Sequence, residues 1–184
     1  MKVLKTITLL VISVVVLAFT AKIGPEKTVS EKVAEKGNLS TLLAALEAAE
    51  LVETLKGEGP FTVFAPSNDA FNKLPEGKLD DLLKPENKEE LAKILKYHVV
   101  SGKIYASDLS GEKMVETLEG TQIKVRASSA MEEGMGEEGE YMDKVRVNNA
   151  TVVEPDITAS NGIIHIIDGV VMPSDIEVMG ATEY

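Results

Sequence analysis

A chain of 184 residues with a formal net charge of −11 is long enough for one ordinary domain and too short for two. Its acidity repels phosphate backbones and anionic headgroups, which argues against nucleic acid and anionic lipid as partners. The absence of cysteine excludes disulfides, thiolate metal sites, cysteine nucleophiles and lipid anchors built on an N-terminal cysteine. At 44% hydrophobic and 27% charged the composition is globular, and with 4% aromatics and no Trp the core must come from Val, Ile, Leu and Ala.

Lys2 and Lys5 precede an apolar run from Ile7 to Phe19, interrupted only by Thr8 and Ser13. A basic start followed by such a run is the pattern of a secretory signal, and the run is marginal for a permanent span, which needs about 20 residues. Residues 1–21 are therefore expected to be a signal peptide or N-terminal anchor. The cleavage point is poorly specified, because neither Ala18-Phe19-Thr20 nor Thr20-Ala21 is a clean Ala-x-Ala site.

Residues 22–37 read as a polar linker and a first helix, with Val29 and Val33 as its apolar positions and Gly37 suited to its C-terminal cap. Ser40 is placed to cap the next helical region, in which Leu42, Leu43, Leu46 and Ala49 recur at helical spacing and Gly57 and Gly59 end the run. Phe61 to Ala65 reads as a short buried strand, stopped by Pro66. Ser67, Asn68 and Asp69 then open a short helix carrying Ala70 and Phe71. Asn87 and Glu90 have capping-box spacing for a helix in which Leu91, Ile94, Leu95 and His98 share the apolar face.

From Lys113 the pattern changes to period two. Met114 to Leu118 and Thr121 to Ala127 suggest a hairpin, Val145 and Val147 a third strand, Thr151 to Val153 a fourth and Ile163 to Ile167 a fifth. Asp168-Gly169 is a hairpin turn signal, so Val170 to Met172 are expected to pair back. Helices first and strands second argue for an α+β fold.

Three stretches carry a family likeness. Phe61-Thr62-Val63-Phe64-Ala65-Pro66-Ser67-Asn68-Asp69-Ala70-Phe71, then Tyr97-His98-Val99-Val100-Ser101-Gly102-Lys103, then Asn161-Gly162-Ile163-Ile164-His165-Ile166-Ile167-Asp168-Gly169-Val170 resemble, in order and spacing, the signatures of the fasciclin (FAS1) domain family. The resemblance covers residues 38–173 and leaves 174–184 as a tail. It implies a β-wedge of two sheets with helices packed along it, and a role in adhesion, matrix assembly or host contact. It further implies candidate contact residues, since in some animal relatives integrin recognition is assigned to the Tyr-His region and to an acidic Asp-Ile segment. Here these are Tyr97 and His98, and Glu154, Pro155, Asp156 and Ile157; there is no Arg-Gly-Asp. The stretch Ser128 to Asp143, rich in Glu, Gly and Met, departs from the family's tight hairpin and reads as a mobile solvated insertion.

Other chemistries compete with that reading. His98 and His165 are the only histidines, each set among apolar residues, which favours structural imidazoles with bonded ring nitrogens over a metal, haem or hydrolase site. His98 is expected to bond the Ser67-Asn68-Asp69 turn. Ser67 or Ser101 can be placed in a triad only on paper, since no Gly-x-Ser-x-Gly elbow exists. The insertion lacks the spacing of an EF-hand loop, and its Met131, Met135 and Met142 are weak grounds for copper. Asn38-Leu39-Ser40 and Asn149-Ala150-Thr151 fit the glycosylation triplet, which arises often by chance. The expectation is a non-catalytic adhesion or matrix-interaction module without a cofactor, secreted, periplasmic or at the cell surface, binding protein or glycan. Membrane would be met only through an uncleaved N-terminal segment. An extracytoplasmic carrier of lipid, haem or sugar is the alternative. An apolar pocket reaching a histidine would favour the carrier, and exposed loops around Glu154 to Ile157 the adhesion module.

Overall fold

The computed structural model describes residues 27–109, 111–128 and 144–173. The expected signal or anchor at 1–21, the insertion but for Ser128, and the tail at 174–184 lie outside the described residues.

Helix α1 (Val29–Glu35) is fixed by a reciprocal cap: the Thr28 hydroxyl accepts from Glu31 N and the Glu31 carboxylate accepts from Thr28 N at 2.7 Å. Val29 and Val33 are fully buried. Gly37 does not cap this helix. It opens a 3-10 turn, Gly37–Leu39, that leads into α2 (Ser40–Ala48). Ser40 lies inside α2, and the capping acceptor comes from far along the chain. Asn68 Oδ1 accepts from Thr41 N at 3.0 Å, and Asn68 Nδ2 donates to Gly37 O and Ser40 Oγ, both at 3.1 Å. Asn68→Ala should therefore cost about 1–2 kcal/mol, read as a lower urea midpoint with an unchanged slope.

The leucine-rich region breaks at Glu50, which adopts φ 56, and resumes as α3 (Val52–Lys56). Helix α4 (Asn68–Asn72) is capped by Ser67 Oγ, which accepts from Ala70 N at 3.2 Å, as its sequence suggests. Helix α5 (Lys78–Leu82) precedes α6 (Lys88–Tyr97). The capping box expected at α6 does not form: Asn87 Nδ2 donates to Asp81 O and Glu90 pairs with Lys78 at 3.1 Å. The apolar face of α6 is as read, with Leu91, Ile94, Leu95 and His98 all buried.

Seven strands form one ladder in the order β2-β1-β7-β6-β5-β4-β3: β1 (Phe61–Pro66), β2 (Val99–Ser101), β3 (Gly111–Glu116), β4 (Gln122–Ser128), β5 (Lys144–Val147), β6 (Ala150–Ala159) and β7 (Gly162–Ile167). Strands β1 and β7 run parallel and the other pairs antiparallel. Alternation along β1 and β7 divides the core. Val63, Ala65, Ile164 and Ile166 face the helices, packing with Val29, Leu42 and Leu95. Phe64 and Ile167 face the other way, against Ile123, Val125, Val145 and Val147 of β4 and β5. The two halves of the ladder thus close on a second apolar filling, and a bridge between Val100 and Thr117 joins their far edges. This is an α+β wedge whose two sheets meet at β6.

Two expectations are corrected. Phe64, Phe71, Ile164 and Ile166 are buried, but Phe61 is only partly so. The Asp168-Gly169 pair does not turn a hairpin. Asp168 Oδ1 accepts from Thr151 N at 2.7 Å, which ties the chain back to β6. Val170 to Pro173 then leave as a strap outside the strands, with Val171 fully buried.

Candidate functional site

Strand β6 is where the wedge bends, and its register shows how. Val152 pairs with Ile167, Glu154 with Ile166 and Ile157 with Ile164. Two steps on β6 answer one on β7, and then three answer two, so the strand carries two bulges in succession. The surplus backbone is pushed outward, and Val153, Glu154, Pro155 and Asp156 are all exposed. Ile157 is partly buried against the helix-side core. Glu154 pairs with Lys36 at 2.5 Å.

Asp156 adopts φ 58, a left-handed conformation that Asp tolerates better than most residues. Its Oδ1 accepts from Ala106 N at 2.8 Å and its own N–H donates to His165 Nδ1 at 3.2 Å. His165 Nε2 donates to Ile104 O at 2.8 Å, and Ile104 N donates to Thr62 Oγ1 at 2.9 Å. The bulge and the loop from Gly102 to Leu109 are thereby held as one surface. Tyr105, 38% exposed, and Val153, 58% exposed, are its large apolar side chains. The fixing of this loop by Asp156 had no signal in the sequence, because Asp156 and Ala106 are fifty positions apart.

Tyr97 and His98 lie elsewhere and are buried, 5% and 2% exposed. Tyr97 OH accepts from Asn148 Nδ2 at 3.0 Å and donates to Gln122 O at 3.3 Å, fastening α6 to β4 and the β5–β6 turn. His98 does not reach the Ser67-Asn68-Asp69 turn. Its Nδ1 donates to Ile94 O at 2.8 Å and its Nε2 accepts from Val171 N at 3.1 Å, so it holds the strap. Burial pulls its pKa down to about 4, against the weaker upward effect of the bond to Ile94 O. Burial also lowers that of His165, which stacks on Phe64 at 5.6 Å.

All four imidazole nitrogens therefore serve backbone groups, and Ser67 Oγ is committed to its cap. Among the described residues no three His, Asp or Glu side chains converge as metal ligands would. An apolar cavity of ≈10 Å³ lies among Leu46, Leu55, Leu95 and Val99. A cleft of ≈380 Å³ is lined by Lys73, Asn149, Asp168 and Met172 among others. Neither histidine lines either space. No described helix is long and apolar enough to cross a membrane.

Residues 37–173 match the fasciclin domain family. Protein sll1483 of Synechocystis is 49% identical over 147 residues, which cover 79% of this chain and 73% of that protein. Transforming growth factor-beta-induced protein ig-h3 of Sus scrofa is 36% identical over 149 residues, 81% of this chain but only 20% of that protein. Among solved structures, a FAS1 domain pair from the insect cell adhesion molecule fasciclin I superposes with a TM-score of 0.66 at 21% identity, covering 82% of this chain and 52% of that one.

Proposed function

The chain belongs to the fasciclin domain family, and on that footing we propose that it is a secreted or cell-surface adhesion module that binds a macromolecule and does no chemistry of its own. The observation that carries this reading is the doubly bulged stretch of β6, which presents Glu154, Pro155 and Asp156 to solvent on a backbone locked by the Asp156 bond to Ala106. A loop held rigid in its exposed form loses little freedom on binding. Its acidic and apolar side chains suit a protein or glycan at a cell surface or in a matrix. Ile157 anchors the stretch from below, while Tyr97 and His98 act from the interior by fixing α6, the β5–β6 turn and the strap. The imidazole nitrogens are committed to backbone groups, and neither the apolar cavity nor the ≈380 Å³ cleft reaches a histidine, which supports binding over catalysis or ligand carriage.

The test is a pull-down of the mature domain against its owner's envelope fraction, with Glu154→Gln and Asp156→Asn alongside. Both variants remove charge, and the second keeps an oxygen for Ala106 N. Binding weakened about five- to thirtyfold is expected, as for loss of a central contact. The melting temperature of Glu154→Gln should barely move, because an exposed ion pair contributes less than about 1 kcal/mol. Unchanged binding by both variants would refute the proposal.

A further inference from the structure

We propose that His165 and Asp156 form a proton-operated latch on the loop from Gly102 to Leu109, closed when the imidazole is neutral and opened when it takes a proton. The proposal concerns the loop beside the proposed contact surface. Its test reads the loop and not a partner, so either proposal can fail alone.

The latch follows from how the hydrogen atoms must be arranged. Asp156 N–H is a donor, so His165 Nδ1 must be a bare acceptor. Ile104 O is an acceptor, so Nε2 must carry the hydrogen. Only the neutral Nε2–H tautomer satisfies both. A proton arriving at Nδ1 would set two N–H groups 3.2 Å apart and break that bond. The Asp156 carboxylate is placed to answer the new N–H, with its Oδ1 4.0 Å from Nδ1. That oxygen now accepts from Ala106 N. Drawing it onto the imidazolium takes the acceptor away from the 3-10 turn Ala106–Asp108 and frees the segment that carries Tyr105.

The setting makes Asp156 the controlling group. On β1 the neighbours Thr62 and Phe64 are uncharged, and β7 has no other ionisable residue. Helix α1 packs on β7 from the opposite side, where Val29 meets Gly162. The loop contributes Lys103, Tyr105 and Asp108, and the Asp108 carboxylate is engaged with Tyr105 N at 3.0 Å. On β6, Glu154 is paired with Lys36. Among the described residues Asp156 is the charge that acts on the ring, favouring the protonated form against the dominant effect of burial. The latch therefore opens in acid below the ordinary histidine range.

The experiment is a pH titration of the whole chain by proton–nitrogen correlation spectroscopy, following the His165 ring nitrogens and the amides of Ala106, Asp156 and Val171. The wild type should show the Ala106 and Asp156 amides moving together with the His165 ring, at one shared midpoint, while far-ultraviolet dichroism shows the domain still folded. In Asp156→Asn the His165 midpoint should move to lower pH and the Ala106 amide should cease to follow it. His165→Gln keeps a donor for Ile104 O and cannot titrate there, so its Ala106 amide should stay fixed over the same range. An Ala106 amide indifferent to His165 protonation in the wild type would overturn the proposal. So would an Ala106 amide that still moves at the wild-type midpoint in Asp156→Asn.

Discussion

Replacing Asn161 by Ala is expected to lower the stability of the domain by about 3 kcal/mol and its melting temperature by about 10 °C. The side chain is a junction that links the start of α1 to the end of α3 by hydrogen bonds. Asn161 Oδ1 accepts from Val29 N at 2.9 Å, at the start of α1, where Val29 is fully buried. Asn161 Nδ2 donates to Leu55 O at 2.8 Å and Gly57 O at 2.9 Å, at the end of α3. Both helix ends have backbone groups without helical partners, and one amide serves them together. The site is tight as well: a Cβ on the neighbouring Gly162 would lie 2.4 Å from Phe61 O. Truncation leaves Val29 N and Leu55 O, whose bonds to the amide are partly buried, without this partner, while the exposed Gly57 O can turn to water. Asn161→Asp is the sharper variant, since it keeps the acceptor for Val29 N but turns oxygen toward the two carbonyls. At neutral pH it should be at least as damaging, and it should recover part of the loss in acid as the carboxyl protonates. Urea unfolding of both variants checks this, and a loss below about 1 kcal/mol in each would show that Asn161 is not the junction.

How far the sequence reveals this fold depends on the range of the interaction that decides each part. Period-two alternation is local, so the β3–β4 hairpin is legible in it, and β7, buried on both faces, is legible as a short apolar run. The Ser67 cap is equally local, and its hydroxyl meets the backbone three residues on. Long-range acceptors are invisible. Asn68 caps a helix twenty-seven residues earlier, and Asn161 serves a nitrogen 132 residues away. Asp168-Gly169 has the composition of a hairpin turn, yet the Thr151 amide captures the aspartate and the chain goes elsewhere. The fourth strand is read as Thr151 to Val153 only. In the fold, the bulges that accommodate Pro155 let β6 continue from Ala150 to Ala159.

The candidate site divides the same way. The acidic segment is legible as a motif, but its exposure comes from register shifts that only pairing with β7 creates. The apolar face of α6 gives the burial of His98 correctly. It cannot name the partner, because the strap that supplies Val171 follows seventy-three residues later.

That partnership gives the last expected result: the wild-type domain should lose about 3 kcal/mol more than His98→Gln as pH falls from 7 to 4. The folded pKa of His98 is about 4, below its ordinary value of 6.5. Above pH 6.5 the imidazole is neutral whether the chain is folded or not, and stability does not depend on it. Between 6.5 and 4 the unfolded chain binds the proton that the folded chain refuses, so stability falls as pH falls. Below 4 both states are protonated and the loss is complete. A span of about 2.5 pH units at 1.36 kcal/mol each sets the size. The folded state refuses the proton because the ring is sealed among apolar groups, and because Nε2 must stay bare to accept from Val171 N. Gln offers an oxygen for Val171 N but gives up the bond to Ile94 O, so the variant should start less stable at pH 7. The gap to wild type should then narrow steadily toward pH 4. Carboxylates such as Glu112, held down to about 2 by hydrogen bonds from Lys124 and Arg126, titrate alike in both proteins and cancel in the difference. Urea unfolding at half-unit pH intervals measures that difference directly. A gap that stays constant from pH 7 to 4 would mean that His98 is protonated in the folded chain as readily as in the unfolded one, and the strap would then need another anchor than its ring nitrogen.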